Sequence, residues 1–261
     1  MTRAILKHAW NVYRTNFGVI AAVIFAICLP IDLLSSYMDY FVFDPDDLRK
    51  SFKFSRFLEN FIGIIATAAI ISVGYKANLG ERSSFRSAMS TGLSSWGRMW
   101  WTRCLTGLAI LLGLLLLIIP GLYLFVRLAL IEPVAVCERV SGSTAMRRSF
   151  ELTKGRFWQL VLLGLVFGSI LVAAIAAVVI PALFIPALDH WLVDAATSLV
   201  ADFIATYGTL CLLSAYVTFS ASLDMSGAVS AQTVESDVQH DTPLPITVEH
   251  QRMDQMTGQR D

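Results

Sequence analysis

An apolar stretch of 34 residues runs from Cys104 to Cys137, with Pro120-Gly121 at its centre. A single straight helix of that length would reach about 51 Å at 1.5 Å per residue, far beyond a hydrocarbon core about 30 Å thick. Proline removes a backbone donor and glycine permits a turn, so two helices joined tightly fit better. The flanking charges agree. Lys76 to Arg103 carries five basic residues (Lys76, Arg82, Arg86, Arg98, Arg103), and Arg139 to Arg156 carries another five (Arg139, Arg147, Arg148, Lys154, Arg156). A hairpin puts both segments on one side of a membrane, as the positive-inside rule requires; a single crossing separates them. Full crossing and re-entry both stay open, because Leu122 to Cys137 is only 16 residues and holds Arg127 and Glu132.

Composition names the solvent. Of 261 residues, 56% are hydrophobic and 15% charged, with a mean hydropathy of +0.63; soluble domains carry about 25% charged residues. Further spans are expected over Phe17–Met38, Leu58–Leu79, Phe157–Leu188 (interrupted by Pro181 and Pro186) and Thr197–Leu223. With the central hairpin this gives an all-α polytopic integral membrane protein. It has about six transmembrane helices and interfacial amphipathic helices, with residues 1–223 in the membrane domain. Pro30-Ile31-Asp32-Leu33 follows the first apolar run where a cleavable leader would have a small-x-small site, so that run reads as a retained span. Arg3, Lys7 and Arg14 add to the inner side, which places both termini in the cytoplasm. The Tyr40–Phe57 connector, placed outside, holds Arg49, Lys50, Lys53 and Arg56 against Asp44, Asp46 and Asp47. Within it Asp44-Pro45-Asp46-Asp47 reads as an N-cap followed by proline, opening a short interfacial helix.

Three triples recur at the same offsets: Ile5, Trp10, Phe17; Ala88, Leu93, Trp100; Ala145, Phe150, Phe157. Each sits in a basic amphipathic segment before a span, so the unit reads as an interfacial helix followed by a transmembrane hairpin, used three times. The tail, Asp224–Asp261, has seven acidic residues, two arginines and a break at Pro243 and Pro245; it reads as disordered, with docking on a protein partner as the sharper alternative.

Charges inside the spans are the candidates for function. Counted by helical rise from the outer ends, Arg127, Asp32 and Asp202 fall at one depth and form an expected cluster between three helices. A structural ion pair is the plainer reading, an ion or substrate site the sharper one. Glu132 lies deeper, just before Pro133, where it is protonated or bonds a carbonyl freed by the proline. Ser143–Thr153 reads as an amphipathic helix closed by Gly155, with Arg147 pairing Glu151 at i+4. Its basic side, Arg147, Arg148, Lys154 and Arg156, either fixes topology or captures the phosphates of anionic lipid headgroups. Gly164-x-x-x-Gly168 and Ala173-x-x-x-Ala177 form a small-residue stripe for helix packing, within the monomer or in a homo-oligomer. Trp96, Trp100, Trp101 and Trp158 mark span ends.

No Walker loop, HExxH, GxSxG or CxxC occurs, and His8, His190, His240 and His250 are scattered, so no catalytic residue, metal site or cofactor is assigned. Asp189-His190 reads as a solvated turn. Cys28, Cys104, Cys137 and Cys211 all lie in or beside apolar runs and read as small hydrophobes. Zero net charge argues for no nucleic-acid partner.

At Ile119-Pro120-Gly121, Arg127, Glu132-Pro133, Glu138 and Arg148-Ser149-x-x-Leu152-Thr153-Lys154-Gly155, the chain resembles the membrane domain found ahead of some bacterial glycerophosphoryl diester phosphodiesterases. It also resembles the related YciC-like six-helix membrane proteins. The resemblance covers about residues 1–223 and implies a bacterial inner-membrane protein with no activity of its own. In the fused proteins a soluble barrel hydrolyses glycerophosphodiesters, and no such barrel follows the last span here. The expected function is therefore a non-catalytic membrane module that binds lipid or a partner. The alternatives are a small transporter or channel component built on Arg127, Asp32 and Asp202, and a membrane subunit of a separately encoded phosphodiesterase.

Overall fold

The computed structural model describes residues 2–42, 54, 57–184 and 190–240, and every regular element among them is helical. In chain order these are α1 (Thr2–Thr15), α2 (Phe17–Phe41), α3 (Gly63–Asn78), α4 (Phe85–Leu116), α5 (Ile118–Arg127), α6 (Ile131–Cys137), α7 (Gly142–Thr153), α8 (Phe157–Phe184) and α9 (Trp191–His240). A helical turn at 57–61 leads into α3. Five stretches are long and apolar enough to cross a bilayer: Phe17–Phe41, Phe85–Leu116, Ile118–Cys137, Phe157–Ala174 and Trp191–Leu223. The protein is thus an all-α, multi-pass membrane protein. The connector holding Asp44-Pro45-Asp46-Asp47 lies outside the described residues.

Helix α3 is the hub. It has only 16 residues, but Ile64, Ala68, Ala69, Ile71 and Val73 are wholly buried, and α2, α4 and α6 all pack on it. Small residues let neighbours come close, which is how helices associate where lipid removes the hydrophobic drive. Gly92 of α4 sits against Ile65 and Ala69, and Gly74 faces Leu210 and Leu213 of α9. Lys76 donates to Ser87, and the Trp96 indole N–H donates to the Phe61 carbonyl at 2.6 Å, so α3 and α4 run antiparallel. Helix α4 begins where Ser84, extended and with its hydroxyl accepting the Ser87 N–H, caps it. It continues unbroken to Leu116. The basic segment before the third span, expected as a separate interfacial helix, is one helix with that span.

The central stretch does fold back, but at Leu117 rather than at Pro120-Gly121. Leu117 is extended (φ −164°, ψ 144°), its N–H returns to the Gly113 carbonyl at 3.0 Å, and its own carbonyl accepts from Gly121 at 3.3 Å. Pro120 falls in the first turn of α5, where a missing N–H leaves one fewer donor unpaired in an apolar setting. Gly121 supplies the close approach: a Cβ there would lie 2.5 Å from the Leu114 side chain and 2.7 Å from its backbone nitrogen. The turn itself is apolar and bare, with Leu115, Leu116 and Ile119 each about four-fifths exposed.

The threefold repeat has a physical counterpart that the aromatic offsets only partly mark. Buried positions recur at 0, +4 and +7: Ile5, Ala9, Val12; Ala88, Gly92, Ser95; Ala145, Ser149, Leu152. That spacing lays one stripe along each helix. The first and third copies break before their spans, at Asn16 and at Lys154-Gly155-Arg156, while the second does not. Gly155 takes φ 75°, as its place after the C-cap requires.

The chain divides into two units, Met1–Ser220 and Ala221–Asp261. In the second, the described residues are helical as far as His240, where composition predicts disorder from Asp224. No proline occurs from Trp191 to His240. Residues 241–261 lie outside the described part.

Candidate functional site: a polar cavity and an apolar groove sharing helix α9

Asp32 of α2 and Asp202 of α9 come together as expected, and Arg127 does not join them. Both aspartates line a cavity of about 200 Å³ with Cys28, Glu59, Thr67, Arg103, Thr206 and Thr209. Asp32, Asp202 and Glu59 are near enough to repel one another, and the Cys28 thiol lines the same cavity. One Asp32 oxygen, Oδ2, is buried without a hydrogen-bond partner.

The cation on this cavity is Arg103. Its Nε lies 2.7 Å from Glu132 Oε1, and Nη2 reaches Thr67 Oγ1 at 3.3 Å. Glu132 is therefore paired with the Arg103 guanidinium. Sequence reasoning counted Arg103 among the residues of a basic connector, because it directly precedes the apolar run. The continuity of α4 carries it inward instead. The only sequence signal was its place in the helical series Ser95, Met99, Thr102, which the structure buries.

Arg127 lies on the other side of the α5–α6 chain. Helical rise fixes height and not the direction in which a side chain faces, and just beyond Arg127 the helix breaks over Leu128–Leu130, where Ala129 N–H turns back to Val126 and Ile131 N–H to Leu128. The Arg127 carbonyl accepts from Ser149 at 2.8 Å and from Thr153 at 3.4 Å, which fastens the end of α5 to α7. Its guanidinium rests over the rings of Phe150 (5.1 Å) and Tyr123 (5.6 Å). Among the described residues no carboxylate pairs with it, and its Nε is buried without an acceptor.

Of the four expected phosphate contacts, two are engaged inside the protein. Arg148 bonds Glu138 at 3.0 Å and Glu151 at 3.4 Å, and Tyr216 donates to the same Glu138 oxygen at 3.1 Å. The bond to Glu138 raises the Arg148 pKa further. Arg156 covers the Phe219 ring at 4.5 Å and donates to the Phe219 carbonyl at 3.2 Å. Arg147, paired with Glu151 at 3.4 Å, and Lys154 stay on the surface. Glu138, Ser149 and Thr153 thus join α5, α6, α7 and α9, Gly155 turns the chain from α7 into α8, and Pro120 with Gly121 closes the hairpin.

Beside the cavity, α5, α8 and α9 enclose an apolar groove of about 460 Å³, and Ala205 and Thr209 line both spaces. Leu122, Phe125 and Leu165 on its walls are about three-fifths exposed, so the groove opens sideways. Gly164 lines it, and a Cβ on Gly164 or on Gly168 would meet nothing within 4 Å. The expected glycine stripe is therefore not a packing surface within the monomer. The close α8–α9 contact is made by Gly208, against the Phe167 ring. His190 accepts the Leu192 N–H at 3.2 Å, as a turn residue does, while Asp189 lies outside the described residues. Among the described residues no group of histidine, cysteine and carboxylate side chains can hold a metal ion.

A helical membrane domain with ion pairs joining its helices is the class that these features define. The chain belongs to the family described as the membrane domain of glycerophosphoryl diester phosphodiesterase, which matches residues 99–258. No curated protein and no solved structure matches the chain. The family match includes the hairpin turn, Arg127, Glu132, Glu138 and α7. No strand or barrel occurs among the described residues.

Proposed function

We propose that the protein is a non-catalytic module of the bacterial inner membrane that binds lipid in the groove between α5, α8 and α9. The observation that carries this reading is the groove itself, an apolar space of a size typical of ligand sites, opening where acyl chains surround the protein. In this reading α3 is a sixth span, both termini are cytoplasmic, and the kinship extends to the YciC-like six-helix proteins. The exposed Arg147 and Lys154 then face anionic headgroups at the inner surface, each worth about 1 kcal/mol. The family name makes a separately encoded glycerophosphodiesterase a natural partner, tested by pulldown with and without Asp224–Asp261.

Native mass spectrometry of the detergent-purified chain with dioleoylphosphatidylglycerol is expected to retain one lipid per chain. Gly164→Trp, which fills the groove, is expected to lose it. Equal retention by the variant, or none by the wild type, rejects the reading. Transport through the polar cavity is the competing reading, favoured by the bare Asp32 oxygen. It displaces the lipid reading if Asp202→Asn stays folded yet abolishes a proteoliposome flux that Gly164→Trp leaves intact.

A further inference from the structure

Resting on that lipid reading, we infer that the groove holds a phospholipid whose phosphate is taken by Arg127. Arg103, Arg147 and Arg148 each have a carboxylate partner. Arg127 has none among the described residues; its buried Nε has no acceptor, and its guanidinium rests on two aromatic faces. An arginine in an apolar setting is costly unless something neutralises it, and rings supply only part of that compensation.

Position then selects the partner. Leu122, Phe125, Val126 and Ala129 line the groove; Tyr123 and Arg127 do not, and each follows a lining residue, Leu122 and Val126, by about 100° round α5. Tyr123 stacks on Phe157 at 5.5 Å, in the first turn of α8, and the groove wall begins one turn later at Leu160. Arg127 therefore stands at the α7 end of the groove, where a lipid lying with its chain along α8 would bring its phosphodiester. The guanidinium is held in advance, its backbone fixed by Ser149 and Thr153 and its plane by Phe150 and Tyr123. Planar donors of this kind match phosphate oxygens two at a time. The site differs from the exposed basic side of α7, because it requires both a chain in the groove and a phosphate at Arg127.

The test is a titration of the full-length protein in detergent with dioleoylphosphatidylglycerol, dioleoylglycerol and inorganic phosphate. Wild-type protein is expected to bind the phospholipid about tenfold more tightly than dioleoylglycerol, the scale of one charge-assisted contact. Arg127→Gln is expected to abolish that preference while still binding both lipids. Arg147→Gln/Lys154→Gln is expected to keep the preference, and inorganic phosphate is expected not to compete. Equal wild-type binding of the two lipids overturns phosphate capture and leaves the groove reading standing; this comparison needs no variant, so it holds if Arg127→Gln misfolds. Competition by inorganic phosphate alone, or loss of the preference in the Arg147/Lys154 variant, also overturns it. Absence of binding by either lipid rejects the groove reading as well.

Discussion

Arg103→Gln is expected to destabilise the protein by about 3 kcal/mol, the scale for breaking a buried pair from one side. The pair joins α4 to α6 at 2.7 Å, with both side chains less than a third exposed, beside a cavity already holding Asp32, Asp202 and Glu59. Removing the guanidinium leaves Glu132 without its counter-charge and takes a donor from Thr67. Glu132→Gln is expected to cost less, because Arg103 keeps Thr67 and faces neighbouring acids. The double variant Arg103→Gln/Glu132→Gln is expected to recover most of the loss, since two amides can bond and neither is charged. Unfolding in detergent, followed for the four members of the cycle, reads the coupling directly. Simple additivity would mean that the pair contributes no stability of its own.

Gly121→Val is the second large effect, about 2–3 kcal/mol, near the upper end of the usual cost of overpacking. A Cβ at Gly121 meets the Leu114 backbone nitrogen at 2.7 Å, and a backbone atom cannot swing away as a side-chain tip can. The two arms of the hairpin would have to part, at a turn whose flanks expose only leucine and isoleucine. Gly164→Val makes the same chemical change where nothing lies within 4 Å, and is expected to stay within about 0.5 kcal/mol of wild type. Thermal unfolding in one detergent compares the two substitutions. Equal losses would show that valine at a helical glycine matters here through propensity rather than through the closeness of α4 and α5.

The hairpin was legible because charge and length constrain it twice over: 34 apolar residues are too many for one crossing, and the basic segments on either side are alike in number. The turn residue was not, because proline and glycine mark a turn and a tight helix contact with the same letters. Asp32 and Asp202 line one cavity, on α2 and α9, which run without a break through those residues. Helical rise does not bring Arg127 to them, because it fixes height and not the direction in which a side chain faces. Arg103 was missed for a different reason. A positive residue ahead of an apolar run looks like a topology signal, and only the continuity of α4 from Ser84 shows that it travels inward. The glycines tell the same story: Gly164 and Gly168 have the spacing of a packing motif and line open space, while Gly74, Gly92 and Gly208 stand singly and make the contacts.

Much of the motif running from Pro120 to Gly155 is accordingly architectural. Glu138 gathers Arg148 and Tyr216, Ser149 and Thr153 hold the end of α5, and Gly155 turns the chain into α8. Arg127 is the exception, with its backbone in the architecture and its side chain uncommitted to any acid among the described residues.

Because α4 doubles back into α5 and α6, the start of α4 and the end of α7 are expected on the same face of the membrane. Single cysteines at Arg86 and at Lys154, probed with a membrane-impermeant maleimide in sealed right-side-out and inverted vesicles, test this most directly. Both positions should label only in inverted vesicles. Labelling of one position in each kind of vesicle would contradict the hairpin, and with it the placement of Arg127 and of the groove beside it.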